Sequence, residues 1–252
     1  MTTLFVGQSH VGAIRAAHQA RRATGGKFKR TRGIHTLEQG YAPEMEGMDD
    51  PATARFGPLL RAELEQDIAL YRPRLFSMMG GNAHNALALI RHPRGYDFRL
   101  PGEEAQGPPP EDQAEPVPFA LVSTTLERHL ELDFLRLRML RDAAGAFVHV
   151  ESPPPVRSET LIRERADAFF KDNAIDTLGV APVGLRWRMW RLNARLFRAQ
   201  VESLGCRFMP VPDEAKDADG FLREELAGDA THGNADYGQI ILRAAEDLVA
   251  RG

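Results

Sequence analysis

Three places in this 252-residue chain combine residue types that can do chemistry. Ser9 follows Gly7 in Gly7-Gln8-Ser9-His10, Asn82 closes Gly80-Gly81-Asn82, and Asp229 stands three positions before His232. A serine hydroxyl is a weak nucleophile until a neighbouring base takes its proton. A histidine serves as that base when a carboxylate orients its ring and steadies the imidazolium. The oxyanion formed at an attacked carbonyl needs preorganised donors, which an Asn amide and a backbone N–H supply. Ser9, His232, Asp229 and Asn82 are therefore the parts that acyl transfer at a serine requires.

Each part also has a plainer reading. A serine after a strand is commonly a helix N-cap, and Gly-Gly-Asn is commonly a turn. With eight histidines and 35 acidic residues in the chain, about one acid three places ahead of a histidine arises by chance, and Asp229 is that one case. Joint placement is what separates the two readings, because each cluster falls where a strand should end or a helix begin. Ligands of open α/β sheets bind just beyond the carboxyl ends of the strands.

The elements that must position these residues follow from periodicity. Short apolar runs alternate with longer helical patterns, which predicts βαβ units and a mostly parallel sheet. Strands are expected at 3–6, between 27 and 34, at 74–79, 146–150 and 207–211. Helices are expected at about 11–24, ended by Gly25-Gly26 as a C-cap, and at 58–70, with Pro58 near its start and Leu60, Leu64 and Ile68 on one face. Further helices are expected from Ser123 to near Gly145, at 157–171, at 185–204 and at 235–251. Residues 91–118, with seven prolines, interrupt the alternation as a lid-like insertion or a disordered excursion. No repeat or linker divides the chain, so one domain with this insertion is expected.

The order of the three clusters resembles that of the SGNH (GDSL-type) hydrolase superfamily, along essentially the whole chain. Leu4-Phe5-Val6-Gly7-Gln8-Ser9-His10 is similar to the family's first block, and Gly80-Gly81-Asn82 to the Gly-x-Asn of its third. Asp229-x-x-His232 matches its final Asp-x-x-His, with His232-x-Asn234 and Tyr237-Gly238 like the stretch that follows. Val148-His149-Val150 before prolines resembles its fourth strand. The resemblance implies a flavodoxin-like three-layer α/β/α sandwich with a mostly parallel five-stranded sheet. It also implies hydrolysis of an acyl ester, acetyl esters among them, on a small molecule or a carbohydrate. Ser9 would be the nucleophile, His232 the base and Asp229 its orienting carboxylate. Asn82 and the Ser9 N–H would be oxyanion donors, with Gly33 as the second-block glycine and Gly40 its competitor. Gln8 stands where the family usually has Asp, and Ala83 where an Asp commonly follows the Asn. Those departures keep open a carbohydrate- or partner-binding protein with a degenerate site. The same triad would also support acyl transfer to a sugar instead of hydrolysis, a third reading.

The remaining features exclude more than they add. A net charge of −3 gives no overall pull toward nucleic acid or acidic membranes. The single cysteine, Cys206, makes no internal disulfide and no thiolate cluster. The histidines are scattered, so neither a metal nor any other cofactor is expected. His10 and His84 flank site residues and could line the pocket, surface or packing roles being the ordinary alternative. Gly7-x-x-x-x-Gly12 lacks the Lys-Ser/Thr of a phosphate-binding loop. The segment Met1–Gly7 lacks the basic and apolar regions of a signal peptide and no apolar run approaches a membrane span, so a cytoplasmic location is expected. Of the 32 basic residues, 28 are arginine. Arg188, Arg191, Arg195 and Arg198 form a stripe at helical spacing near Trp187 and Trp190. A solvated face with its aromatics packed inward is the plain reading, and binding of an anionic carrier, membrane face or nucleic acid the alternative.

Overall fold

The alternation of short apolar runs with helical periods builds a five-stranded sheet in the computed structural model, which describes residues 2–25 and 30–251. The strands are β1 (Thr3–Gly7), β2 (Thr31–His35), β3 (Arg74–Met78), β4 (Val148–Val150) and β5 (Arg207–Met209). They lie in the order β2-β1-β3-β4-β5, and every pair is parallel. That is the doubly wound, flavodoxin-like order, as expected.

Helices in chain order are α1 (Val11–Ala23), α2 (Pro58–Tyr71), α3 (Ala83–Ala88), α4 (Phe119–Ala144) and α5 (Glu159–Arg165). They continue with α6 (Ala168–Asp172), α7 (Ile175–Leu178), α8 (Val183–Ser203) and α9 (Ala235–Ala250). A parallel sheet must be covered on both faces, and alternate residues of β1 show how. Phe5 points into the apolar cluster shared with α1 and α9, whereas Leu4 and Val6 point into the one shared with α2, α4 and α8. Each such side chain gains about 1.5–3 kcal/mol from burial, so a one-residue slip of β1 would put all three on the wrong face.

The carboxyl ends of β1 and β3 meet closely, with Gly7 opposite Met78. A Cβ on Gly7 would lie 2.3 Å from the Met78 carbonyl oxygen. Only glycine allows that approach, and it brings the turns after the two strands side by side.

Several elements differ from expectation for identifiable reasons. Of the predicted second strand, Thr31–Ile34 is observed and extends to His35; positions 27–29, like Gly26 of the predicted C-cap, lie outside the described residues. Helix α4 starts four residues early because Phe119 follows Pro118 directly into the helix. The stretch 157–171 is two helices, since Ser158 and Asp167 each cap a new one by accepting from Leu161 N and Phe170 N.

Residues 91–118 and the arginine stripe explain one another. Tyr96–Asp97 pairs with Glu115–Pro116, and Phe98 and Leu100 enter the core. Arg188 grips Asp97 with two nitrogens, one donating to Oδ1 at 2.9 Å, and both side chains are buried. Arg191 and Arg195 both bind Glu103, at 2.7 and 2.6 Å. The expectation of a solvated arginine face is therefore corrected for Arg188, which is buried against Asp97, whereas Arg191 and Arg195 stay about a third exposed while they tie Glu103 to α8. Arg198 lies over the Phe208 ring instead.

Candidate active site

The chain leaves β1 toward β2 on one side and returns through β3 on the other, so the crevice above the ends of β1 and β3 is the topological switch point of the sheet. Ser9 occupies the turn between β1 and α1, where Val11 N donates to Gln8 O and Gly12 N to Ser9 O, each at 3.0 Å. The turn after β3 uses left-handed backbone, φ +70° at Gly80 and +107° at Gly81, which glycine alone adopts without cost. The third segment is held by Asp229 itself. Its Oδ1 accepts from the backbone N–H groups of Thr231 and His232, both at 2.8 Å, an Asx-type turn. Asn234 then caps α9 by accepting from Asp236 N and Tyr237 N.

These three segments converge. Ser9 Oγ lies 2.7 Å from His232 Nε2, and His232 Nδ1 lies 2.8 Å from Asp229 Oδ2 and 3.0 Å from Oδ1. Because the carboxylate only accepts, Nδ1 carries the ring proton and Nε2 faces the serine with its lone pair. Asn82 Nδ2 approaches the same Nε2 at 3.4 Å, so amide and hydroxyl border one spot. The Asn82 amide is oriented from behind, since its Oδ1 accepts from Asn85 Nδ2 at 3.0 Å. Ser9 is exposed while His232, Asp229 and Asn82 are half-buried, an arrangement open to a substrate from solvent. The N-cap reading of Ser9 fails: α1 begins after His10 without a side-chain cap, and the Ser9 hydroxyl is spent on His232.

Charge is distributed to suit proton transfer. Burial alone would raise the Asp229 carboxyl. The hydrogen bond from His232, with the backbone N–H groups of Thr231 and His232, outweighs burial and holds it well below the usual carboxylate range. Asp229 is thus ionised throughout the neutral range. The His10 ring packs 4.7 Å from that of His232 and is buried. Burial first, then the neighbouring His232 and His84, push its pKa far down, so it stands beside the pair as a neutral wall. Burial pushes His84 down to about 3.

Gly33 does not reach this cluster. It sits within β2, paired with Phe5, and a Cβ there would lie 2.9 Å from Val11 Cγ1 of α1. Its place in the strand ladder, two residues before the strand end, sets it apart from the turns that hold Ser9 and Asn82, and Gly40 lies exposed in a short 3₁₀ turn. Sequence reasoning also missed Asn85, three residues after Asn82, and Thr231, whose hydroxyl touches both Asp229 Oδ1 at 3.3 Å and His232 Nδ1 at 3.1 Å. The spacing Asn82-x-x-Asn85 at the opening of a helix was a readable signal for the first of these.

The result is a parallel sheet of flavodoxin-like order with a serine, a histidine and a carboxylate linked in series over its switch point. No family model matches the chain. No curated protein matches its sequence. Solved structures of similar fold exist, and three are given. A GDSL-like lipase from Bacteroides thetaiotaomicron is 11% identical, with 99% of this chain and 88% of that one covered at a TM-score of 0.43. The periplasmic domain of a lipopolysaccharide acetyltransferase from Salmonella ser. Paratyphi A is 9% identical, covering 99% and 83% at 0.47. A psychrotrophic esterase from Pseudoalteromonas sp. is 12% identical, covering 99% and 97% at 0.39. Among the described residues no helix is long and apolar enough to cross a membrane.

Proposed function

We propose that this chain is a serine esterase of SGNH type that cleaves an acyl ester of a small molecule or carbohydrate through an acyl-enzyme on Ser9. The observation that carries this reading is the hydrogen-bonded series Ser9 Oγ–His232–Asp229, with contacts of 2.7 and 2.8 Å. In the first half-reaction Ser9 Oγ attacks the ester carbonyl carbon as its proton passes to His232 Nε2. The carbonyl oxygen becomes an oxyanion facing the Asn82 amide and the Ser9 N–H. His232 then returns the proton to the leaving alcohol as the tetrahedral adduct collapses to the ester of Ser9. In the second half a water is deprotonated by His232, adds to that ester, and releases the carboxylic acid with Ser9 restored. An alcohol in place of the water would give acyl transfer by the same atoms.

A fluorophosphonate probe and short-chain p-nitrophenyl esters test the reading. The wild type should be labelled at Ser9 and should turn over the esters. Ser9→Ala should abolish labelling, and Ser9→Ala or His232→Ala should lower kcat by about 10³-fold or more. Wild-type turnover retained in both variants would reject the mechanism, and an unlabelled wild type would favour a binding protein with a degenerate site. Product analysis with an added sugar alcohol separates hydrolysis from transfer.

A further inference from the structure

Gln8, directly before Ser9, makes two polar contacts of opposite sense. Its Oε1 accepts from the backbone N–H of Gly80 at 2.6 Å, and its Nε2 points at Asp133 Oδ1 at 3.5 Å, a weak contact beyond the usual range of about 2.7–3.2 Å. The amide side chain supplies acceptor and donor together here. A carboxylate at position 8 could take the Gly80 N–H but would face Asp133 with like charge. Asp133 is itself packed on the same turn, since a Cβ on Gly80 would lie 2.8 Å from its Oδ2. Behind it the chain of contacts continues: Arg136 binds Asp133 at 2.9 Å and Glu44 at 2.8 Å, and Glu44 accepts from Thr36 Oγ1 at 2.6 Å. Thr36 N in turn donates to Gly7 O at 2.8 Å. The circuit starts and ends at the carboxyl end of β1, and Gln8 carries it onto the Gly80-Gly81-Asn82 backbone.

From this circuit we infer that Gln8 and Asp133 act as a matched pair of positioning residues that aim the Gly80–Asn82 turn at Ser9. Neither touches the reacting atoms. Both act through the Gly80 peptide on the Asn82 amide, which stands two residues along. The inference rests on the esterase reading above, because its effect is read through turnover at Ser9.

An amide that stabilises charge only as the oxyanion forms lowers kcat when misplaced and leaves KM nearly unchanged. Gln8→Glu, which keeps the acceptor but sets two carboxylates together, should lower kcat about tenfold or more with KM within about twofold. Asp133→Asn should give a smaller loss, because an Asn oxygen still accepts from Arg136. In the double variant Gln8→Glu/Asp133→Asn, the amide introduced at position 133 donates to the carboxylate introduced at position 8. That carboxylate still accepts from the Gly80 N–H. Turnover there should recover to within about threefold of the wild type, so the two substitutions should couple strongly. Thermal midpoints measured alongside separate aim from folding, since a purely structural pair would move stability and kcat together, whereas mis-aiming lowers kcat at a nearly unchanged midpoint. A wild type active through Ser9 but a Gln8→Glu variant equal to it, or a double variant no better than Gln8→Glu, overturns the inference alone. A wild type without Ser9-dependent turnover overturns the inference and the esterase reading together.

Discussion

Ser9 Oγ and His232 Nε2 are 2.7 Å apart although 223 positions separate the two residues in the chain. The contact needs three independent placements: the end of β1, the approach of α9 to α1, and the turn that Asp229 builds around its own carboxylate. That turn makes Asp229 a sharp probe of the site.

Asp229 has two tasks, divided between its oxygens. Its Oδ1 holds the backbone of Thr231 and His232, while Oδ2 is the closer acceptor for His232 Nδ1. In Asp229→Asn the remaining oxygen keeps the backbone turn, and the new amide nitrogen meets Nδ1–H donor to donor. The imidazole escapes by moving its proton to Nε2, where it can no longer accept from Ser9. Ester turnover should fall by about 10³–10⁴-fold while the thermal midpoint changes little. Retention of more than a tenth of wild-type kcat would show that Asp229 does not set the ring's tautomer.

Much of this arrangement was legible in the sequence because it depends on chain order and local pattern. The strand before Ser9 and the strand before Gly80-Gly81-Asn82 are apolar runs ended by glycine, and the Asp229–His232 spacing is closed within one turn. The second-block glycine was not legible. Gly33 lies in a strand whose charged residues obscure its ends, and only pairing with Phe5 shows that its peptide belongs to the ladder. Nor was the role of the arginine stripe legible. Helical spacing puts Arg188, Arg191 and Arg195 on one face, but Asp97 and Glu103, which neutralise them, are about 90 residues away along the chain. Gln8 read as a departure from a family pattern; its meaning depends on Asp133 of α4, which no local signal connects to it.

The strap of residues 91–118 onto α8 makes a graded prediction. Arg188 and Asp97 are 6% and 3% exposed at their side chains, whereas Arg191 and Arg195 on Glu103 are 32% and 33% exposed. Removing one partner of a buried pair leaves an uncompensated charge at about 3–5 kcal/mol, while a solvent-screened pair contributes about 1 kcal/mol or less. Asp97→Ala should therefore lower the urea unfolding midpoint far more than Glu103→Ala. Glu103→Ala should instead speed proteolytic cleavage between positions 99 and 114. Equal midpoints for the two variants would refute the buried strap.

Acid stability should report the buried histidines directly. Burial, the largest cause in each case, holds His10 well below its ordinary value and His84 and His149 at about 3. In the unfolded chain each titrates at about 6.5. Between those values the unfolded state binds more protons than the folded one, so the folded state loses stability as pH falls through that window. The loss is up to about 1.4 kcal/mol per pH unit for each ring. Asp229, with its depressed carboxyl, adds its own loss only below about pH 5, as the unfolded group protonates around 3.9, so measurements from pH 7.5 to 5 leave its contribution out. His149 stacks flat on Phe197, ring centres 4.8 Å apart at 4°, and a phenyl ring fits that stack. His149→Phe should begin from a somewhat lower midpoint, because it gives up the 3.2 Å contact to Ser77 Oγ. Its midpoint should then fall less steeply with pH than that of the wild type. An unchanged slope would show that His149 is protonated in the folded protein and carries none of the acid sensitivity.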